Sequence, residues 1–254
     1  MVNSVVNLKS RIAAAEVLLG TFLKTPHPHI VEVLANSGLD CLVIDAEHAP
    51  FDRRDIDACV MAAQLGGLPV LVRTPNSTPD QILNALDCGA DGVLVPHVRS
   101  AAEAQAIAAS AHYGIGGRGY AGSSRAAGYG TKSMPDHKAA SAAKTTVIVQ
   151  IEDAEALDEI DAIAAVEGID ALFVGRIDLT VSLGCESPDD PIVIAAVERI
   201  VAACIAAGRP VGMFVSRTSD VAMWRKKGAT LFLLGSDHGF VRDGAKALRV
   251  AAGL

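Results

Sequence analysis

Eight short runs of β-branched and aliphatic residues, separated by alanine-rich stretches of helical length, constrain the fold of this chain more than any other feature. The runs fall at Val17–Phe22, Cys41–Ile44, Val70–Val72, Gly92–Val95, Val147–Ile151, Ala171–Val174, Val211–Phe214 and Leu231–Leu234. Some, such as Val147-Ile148-Val149, are apolar without alternation, as expected when both faces of a parallel strand are covered. Helices are predicted between them at Arg54–Leu65, Asp80–Cys88, Ala101–Ala111, Ile192–Ala207 and Asp220–Lys227, with Gly89, Gly208 and Gly228 where helices should end. Alternating strands and helices specify parallel βα units, and eight of them close a TIM-type (β/α)8 barrel. The expectation is one barrel domain spanning residues 1–254. Two joints, Cys88-Gly89-Ala90-Asp91-Gly92 and Lys227-Gly228-Ala229-Thr230, look alike and hint at an internal repeat.

Composition narrows the function classes. Hydrophobic residues make up 50% of the chain and aromatics only 4%, so a large core must be built from Ala, Val, Ile and Leu. A formal charge of −7 and the lack of a dense Lys/Arg stripe argue against a nucleic-acid partner. Neither a signal-peptide pattern nor an apolar run of the ~20 residues that cross a bilayer is present, so a cytoplasmic protein with no membrane partner is expected. Cys41, Cys59, Cys88, Cys185 and Cys204 are far apart and odd in number, which suits a reducing compartment and a packing role.

The stretch from Tyr113 to Lys144 interrupts the rhythm with seven glycines around Arg118, Ser123, Ser124 and Arg125. It reads as a long loop whose arginines and serines suit anion handling, or else as a surface connection.

Barrel enzymes draw their sites from the C-terminal ends of different strands. Polar groups gather at four such ends: Asp45-Ala46-Glu47-His48, Arg73, Gln150 with Glu152, and Asp178 within Gly175-Arg176-Ile177-Asp178. Glu152 and Asp178 offer hard oxygen ligands for Mg2+, Mn2+ or Co2+, or serve as a cap and a solvated charge. Arg73, after an apolar strand, suits an oxyanion or carboxylate, or a structural ion pair. His48, oriented by Asp45 or Asp87, could relay a proton, although a lone histidine is also a common surface residue.

Taken in order, Val43-Ile-Asp-Ala-Glu-His-Ala-Pro50, Val70-Leu-Val-Arg-Thr-Pro75, Leu86-Asp-Cys-Gly-Ala90, Val149-Gln-Ile-Glu152 and Val166-Glu-Gly-Ile-Asp-Ala-Leu-Phe-Val-Gly-Arg-Ile-Asp-Leu179 closely resemble the HpcH/HpaI family of pyruvate-dependent class II aldolases, some of which serve aromatic or sugar-acid catabolism. The resemblance implies reversible cleavage of a 4-hydroxy-2-oxo acid to pyruvate and an aldehyde through a metal-stabilised pyruvate enolate. It places the divalent metal on Glu152 and Asp178, and Arg73 at the keto oxygen. His48, held by Asp45 and Asp87, becomes the acid/base working with water. Gln150 and Gly175 line the site, and Ser123 holds the pyruvate carboxylate or the acceptor. It also implies a homohexamer built as a trimer of dimers, with sites completed across subunits and a terminal helix exchanged, for which the apolar Ala245–Leu254 segment is suited. Two positions depart from the family, which usually has proline at Arg176 and methionine at His97. The competing readings are a lyase acting on acyl-CoA esters like the citrate lyase β-subunit, and a barrel that binds a keto acid without catalysis. A Schiff-base aldolase is disfavoured because no predicted strand contains lysine.

Overall fold

The structure is a computed structural model and describes residues 7–254. Its strands are β1 (Leu18–Leu23), β2 (Cys41–Asp45), β3 (Val70–Arg73), β4 (Gly92–Val95), β5 (Thr146–Ile151), β6 (Ala171–Val174), β7 (Val211–Val215) and β8 (Leu231–Ser236). All pair in parallel in sequence order, and β8 returns to β1, closing the barrel. The helices are α1 (Leu8–Ala13), α2 (Pro28–Ala35), α3 (Arg53–Gly66), α4 (Pro79–Asp87), α5 (Ala101–Ala111), α6 (Met134–Lys144), α7 (Ile160–Ala164), α8 (Arg176–Ser182), α9 (Pro191–Ala206), α10 (Thr218–Lys226) and α11 (Asp237–Ala251).

Two apolar layers form the core. Inside the barrel, Phe22, Val43, Leu71, Leu94, Ile148, Phe173 and Leu233 pack together, and Leu8 and Ile12 of α1 join the same cluster at the end where the strands begin. Outside it, aliphatic residues and alanines of the helices pack on the outward faces of the strands, as the scarcity of aromatics requires. Four cysteines are buried and Cys185 is half-buried, all unpaired. Burial pushes the Cys41, Cys59 and Cys204 thiols up to about 12, so they remain inert packing groups. Among the described residues, no helix is long and apolar enough to cross a membrane.

The repeat glimpsed in the sequence extends to four joints. Gly38, Gly89, Gly168 and Gly228 each take a left-handed φ before an even-numbered strand. In three of these joints the next residue but one is aspartate, and it pins the preceding odd strand. Asp40, Asp91 and Asp170 donate their amides to Leu19, Val70 and Val147, and accept those residues' amides on their carboxylates, each bond 2.8 Å long. A cation faces each carboxylate: Arg11 at 2.8 Å, Lys144 at 3.1 Å and Lys9 at 3.0 Å. At the fourth joint, Thr230 keeps only the backbone bond to Val211. Strand starts are thereby fixed at one end of the barrel, leaving the loops at the other end to build a site.

The Tyr113–Lys144 stretch is not loop throughout, because its last third is helix α6. Ser133 caps that helix by accepting the Asp136 amide, and Pro135 sits in its first turn, a start signal that the weak apolar pattern obscured. The two arginines of the stretch are not free for anions either. Arg118 is paired with Asp87, and Arg125 lies 2.7 Å from Asp57. Each guanidinium is already neutralised within the fold.

Gly92 opens β4 so close to β5 that a Cβ there would overlap the Thr146 carbonyl. We expect Gly92→Ala to lower stability by about 1–3 kcal/mol, measured by denaturant titration, through forced separation of these strands.

Candidate active site

Where the strands end, a mouth of about 660 Å3 opens, and its lining includes Lys24, His48, Arg73, Gln150, Gly175 and Asp178. A larger depression of about 780 Å3 lies outside the barrel between α5 and α7. Its walls are mostly alanine, and His112 there is tied to the Gly168 carbonyl at 3.1 Å, so it lacks the converging charged groups of the mouth.

Asp45 and Arg73 end adjacent strands in direct register. Asp45 is wholly buried, and its Oδ1 accepts from Arg73 Nε at 3.0 Å and Nη2 at 2.8 Å. Lys24, directly after β1, brings its ammonium to 3.3 Å from Asp45 Oδ2. Burial alone would raise the Asp45 pKa, but Arg73, the His48 amide and Lys24 outweigh it and hold the carboxyl below its ordinary value. The guanidinium of Arg73 lies over the Phe22 ring, 4.4 Å from its centroid, and its Nε is 3.3 Å from Glu47 Oε2.

Glu47 and Glu152 form the centre of the arrangement. Glu152, after β5, is 2% exposed, accepts from Gln150 Nε2, and takes the His97 amide at 3.0 Å. Both carboxyls sit above their ordinary pKa, chiefly through burial. For Glu47 the charges of Asp45 and Asp178 add to the rise, and for Glu152 that of Glu47 does. Oxygens buried without a hydrogen-bond partner include Glu47 Oε2 and Gln150 Oε1. Two carboxylates withdrawn from water and raised by burial, with a Glu47 oxygen left without a donor, fit a divalent cation better than they fit any protein donor described. Glu47, His97 and Glu152 each offer a ligand atom within 4.8 Å of the others.

Asp178 lies in the first turn of α8, exposed on the same rim. His48 is also on the rim, its Nε2 3.6 Å from Glu47 Oε2. Asp45 accepts the backbone amide of His48 at 3.1 Å, so it positions that turn rather than the imidazole ring. Gly175 serves by having no side chain, since a Cβ would stand 2.5 Å from Glu152 Oε2 and 3.0 Å from Gln150 Nε2. Asp87 and Ser123 do not join this group within the chain. Asp87 ends α4, where it is paired with Arg118, and Ser123 lines a separate cleft between the end of α4 and α3.

Arg176 borders the mouth, but its guanidinium is engaged elsewhere. Its guanidinium donates to the Pro188 carbonyl at 2.9 Å, meets Asp220 at 3.4 Å and lies over Trp224, 5.3 Å from the ring centroid. It therefore ties the start of α8 to α10 and adds no free cation at the mouth. Glu47 stood within a motif but had no role assigned from sequence. Its apposition to Glu152 depends on two strands far apart in the chain.

Clustered carboxylates and a buried guanidinium at the C-terminal mouth of a (β/α)8 barrel define an enzyme of metal-assisted chemistry on oxygen-bearing substrates. The chain matches HpcH/HpaI aldolase/citrate lyase over residues 18–244, belongs to that family, and is a carbon–carbon lyase. It is 37% identical over 242 residues to a 5-keto-4-deoxy-D-glucarate aldolase of Salmonella arizonae, covering 94% of each chain. A family member from Burkholderia cenocepacia J2315 superposes with a TM-score of 0.90 at 34% identity, over 96% of this chain and 98% of that one. An HpcH/HpaI aldolase from Desulfitobacterium hafniense DCB-2 gives 0.90 at 29% identity, over 97% of each.

Gly175→Ala should displace the Glu152 carboxylate and weaken divalent-metal binding at least ~10-fold, because the packed carboxylate must move while the strands stay fixed. Calorimetric metal titration beside a thermal melt checks this, with affinity expected to fall much further than stability.

Proposed function

We propose that this chain is a divalent-metal-dependent aldolase that reversibly cleaves a 4-hydroxy-2-oxo acid to pyruvate and an aldehyde. The observation that carries the reading is the buried Glu152 carboxyl, raised above its ordinary pKa by burial, under a barrel mouth lined by Gln150, Arg73 and Asp178. Glu152 and Asp178 would hold the ion, with Mg2+, Mn2+ and Co2+ as candidates and Gln150 fixing the Glu152 carboxylate. Bound there, the cation supplies Lewis-acid withdrawal of charge from the keto acid.

The chain's own groups divide the remaining work. Arg73, immobilised by Asp45 and Phe22, points a fixed positive charge into the cavity where negative charge grows on the keto oxygen as the carbon–carbon bond breaks. His48 is exposed to the cavity and unencumbered by Asp45, so it can take the proton of the 4-hydroxyl, directly or through water, and return one to the methyl carbon of the product. Apolar walls from Phe22, Phe173 and Phe214 line the same cavity and limit water around the reacting atoms.

Relatives 37% identical across 94% of both chains are aldolases, which favours this reading over an acyl-CoA lyase or a silent keto-acid binder. The same relatives act on a keto-deoxy sugar diacid, which makes sugar-acid substrates the first to try. Support for an oligomer comes from α11, whose Val241, Leu248 and Val250 are exposed at 67%, 74% and 77%. Exchange of this helix onto a neighbouring subunit would cover the apolar face left in water, in keeping with a hexamer built as a trimer of dimers. In such an assembly Asp87 and Ser123 would serve a neighbour's site. Five unpaired cysteines favour the cytosol.

A chelator should abolish pyruvate release, and Mg2+, Mn2+ or Co2+ should restore it. Borohydride treatment with pyruvate should leave no adduct. Lys24 is the lysine to watch by mass spectrometry, since its ammonium lies at the mouth, and a reduced pyruvoyl adduct there would establish a Schiff-base route.

Removing the two polar groups should separate proton transfer from binding. His48→Ala should retain pyruvate affinity while turnover falls ~100- to 10,000-fold, whereas Arg73→Ala should weaken both. Equilibrium pyruvate binding and steady-state turnover on both variants check the assignment, and His48→Ala with near-normal turnover would remove His48 from the mechanism.

A further inference from the structure

We propose that His97 adds an imidazole nitrogen to the divalent-metal site, making it a mixed carboxylate–histidine site that favours Mn2+, Co2+ or Zn2+ over Mg2+. The inference rests on the metal-site reading above and concerns which ion that site selects.

The backbone first brings His97 into place. β4 ends at Val95, Pro96 follows, and His97 then adopts φ +56°, a left-handed conformation that costs a non-glycine residue on the order of 1 kcal/mol. That turn points its amide at Glu152 Oε1 and carries its ring between the carboxylates. Nδ1 lies 3.0 Å from Asp153 Oδ2, a carboxylate that Arg99 also holds at 3.2 Å. With Nδ1–H donated to Asp153, the Nε2 lone pair is left facing Glu47, 3.4 Å from its Oε1. A histidine whose second ring nitrogen is tied to a carboxylate is the usual arrangement of a metal ligand, because the tie fixes both tautomer and ring orientation.

Two further observations support an ion at this point. The Glu47 carboxylate, 9% exposed, has an oxygen buried without a hydrogen-bond donor, and Glu152 is 2% exposed. Candidate ligand atoms on Glu47, His97 and Glu152 lie within 4.8 Å of one another, compatible with bonds of ~2.0–2.2 Å to one small cation. Replacing an oxygen or water ligand by imidazole raises affinity along the order of increasing nitrogen preference, which Co2+ and Zn2+ follow and Mg2+ does not.

The test uses the full chain and the metals alone. His97→Asn removes the ring with a residue that tolerates the left-handed conformation. Titration calorimetry should show Co2+ affinity falling ~10- to 100-fold while Mg2+ affinity changes less than ~3-fold. With Mn2+ loaded, electron spin-echo spectra of the unaltered protein should show modulation from a directly bound imidazole nitrogen, lost in His97→Asn. Equal loss of Co2+ and Mg2+ affinity without any nitrogen coupling would overturn the proposal and leave His97 as an ion-pair partner of Asp153. Glu152→Gln separates the two levels: unchanged binding of every metal in that variant would refute the metal site itself, and the role of His97 with it.

Discussion

The rest of the mouth is organised around Glu47 and Glu152, one half-buried and one buried carboxylate, both held above their ordinary pKa chiefly by burial. Holding such a pair costs free energy that neither hydrogen bonds nor the one nearby guanidinium cancel. Arg73 is shared between Asp45, which it holds at 2.8 Å, and Glu47, 3.3 Å away, so it offsets the cluster only in part. Lys24 is likewise engaged by Asp45, at 3.3 Å. Among the described residues, Arg73 and Lys24 are drawn first to Asp45, and negative charge at Glu47 and Glu152 is left only partly offset. This is the electrostatic form expected of a preorganised cation site.

Such a site needs a rigid support, and the other end of the barrel supplies one. Asp40, Asp91 and Asp170 each clamp the start of the odd strand before them and are themselves balanced by a cation. Exposed ion pairs of this kind contribute little individually, but the paired backbone bonds set register, and a register slip would turn inward-facing side chains outward. In parallel strands with fixed starts, Asp45 and Arg73 must arrive opposite each other, and they do. Stability is concentrated where strands begin and chemistry where they end. Arg176 is one cation near the mouth that belongs to the supporting frame, since Asp220, Trp224 and the Pro188 carbonyl absorb it.

The architecture was legible in the sequence because the two periodicities that encode it are local. The apolar runs at Gly92–Val95 and Ala171–Val174, and the helix at Ala101–Ala111, have the same bounds in sequence and structure. Helix α6 was missed because only His137 among its residues is buried, leaving little apolar stripe to read. Its Ser133-Met134-Pro135 start was the available signal. Position along the chain also identified Arg73, Gln150, Glu152 and Asp178 as strand-end groups, as the barrel rule predicts.

What the sequence determined by itself, then, was which residues become strands, which ends of those strands carry polar groups, and the family to which such an order belongs. Tertiary structure decided which of the polar groups meet. Glu47 and Glu152 lie on β2 and β5 loops, and no local pattern states that closure brings them together with His97. Nor could spacing tell that Arg176 points to α10, that the Arg118 guanidinium is consumed by Asp87, or that Asp87 lies in a cleft separate from His48. Secondary structure is fixed by interactions within a few residues, whereas pairing among charges is settled by distances that exist only once the barrel has closed, and burial then fixes the cost of every pair left incomplete.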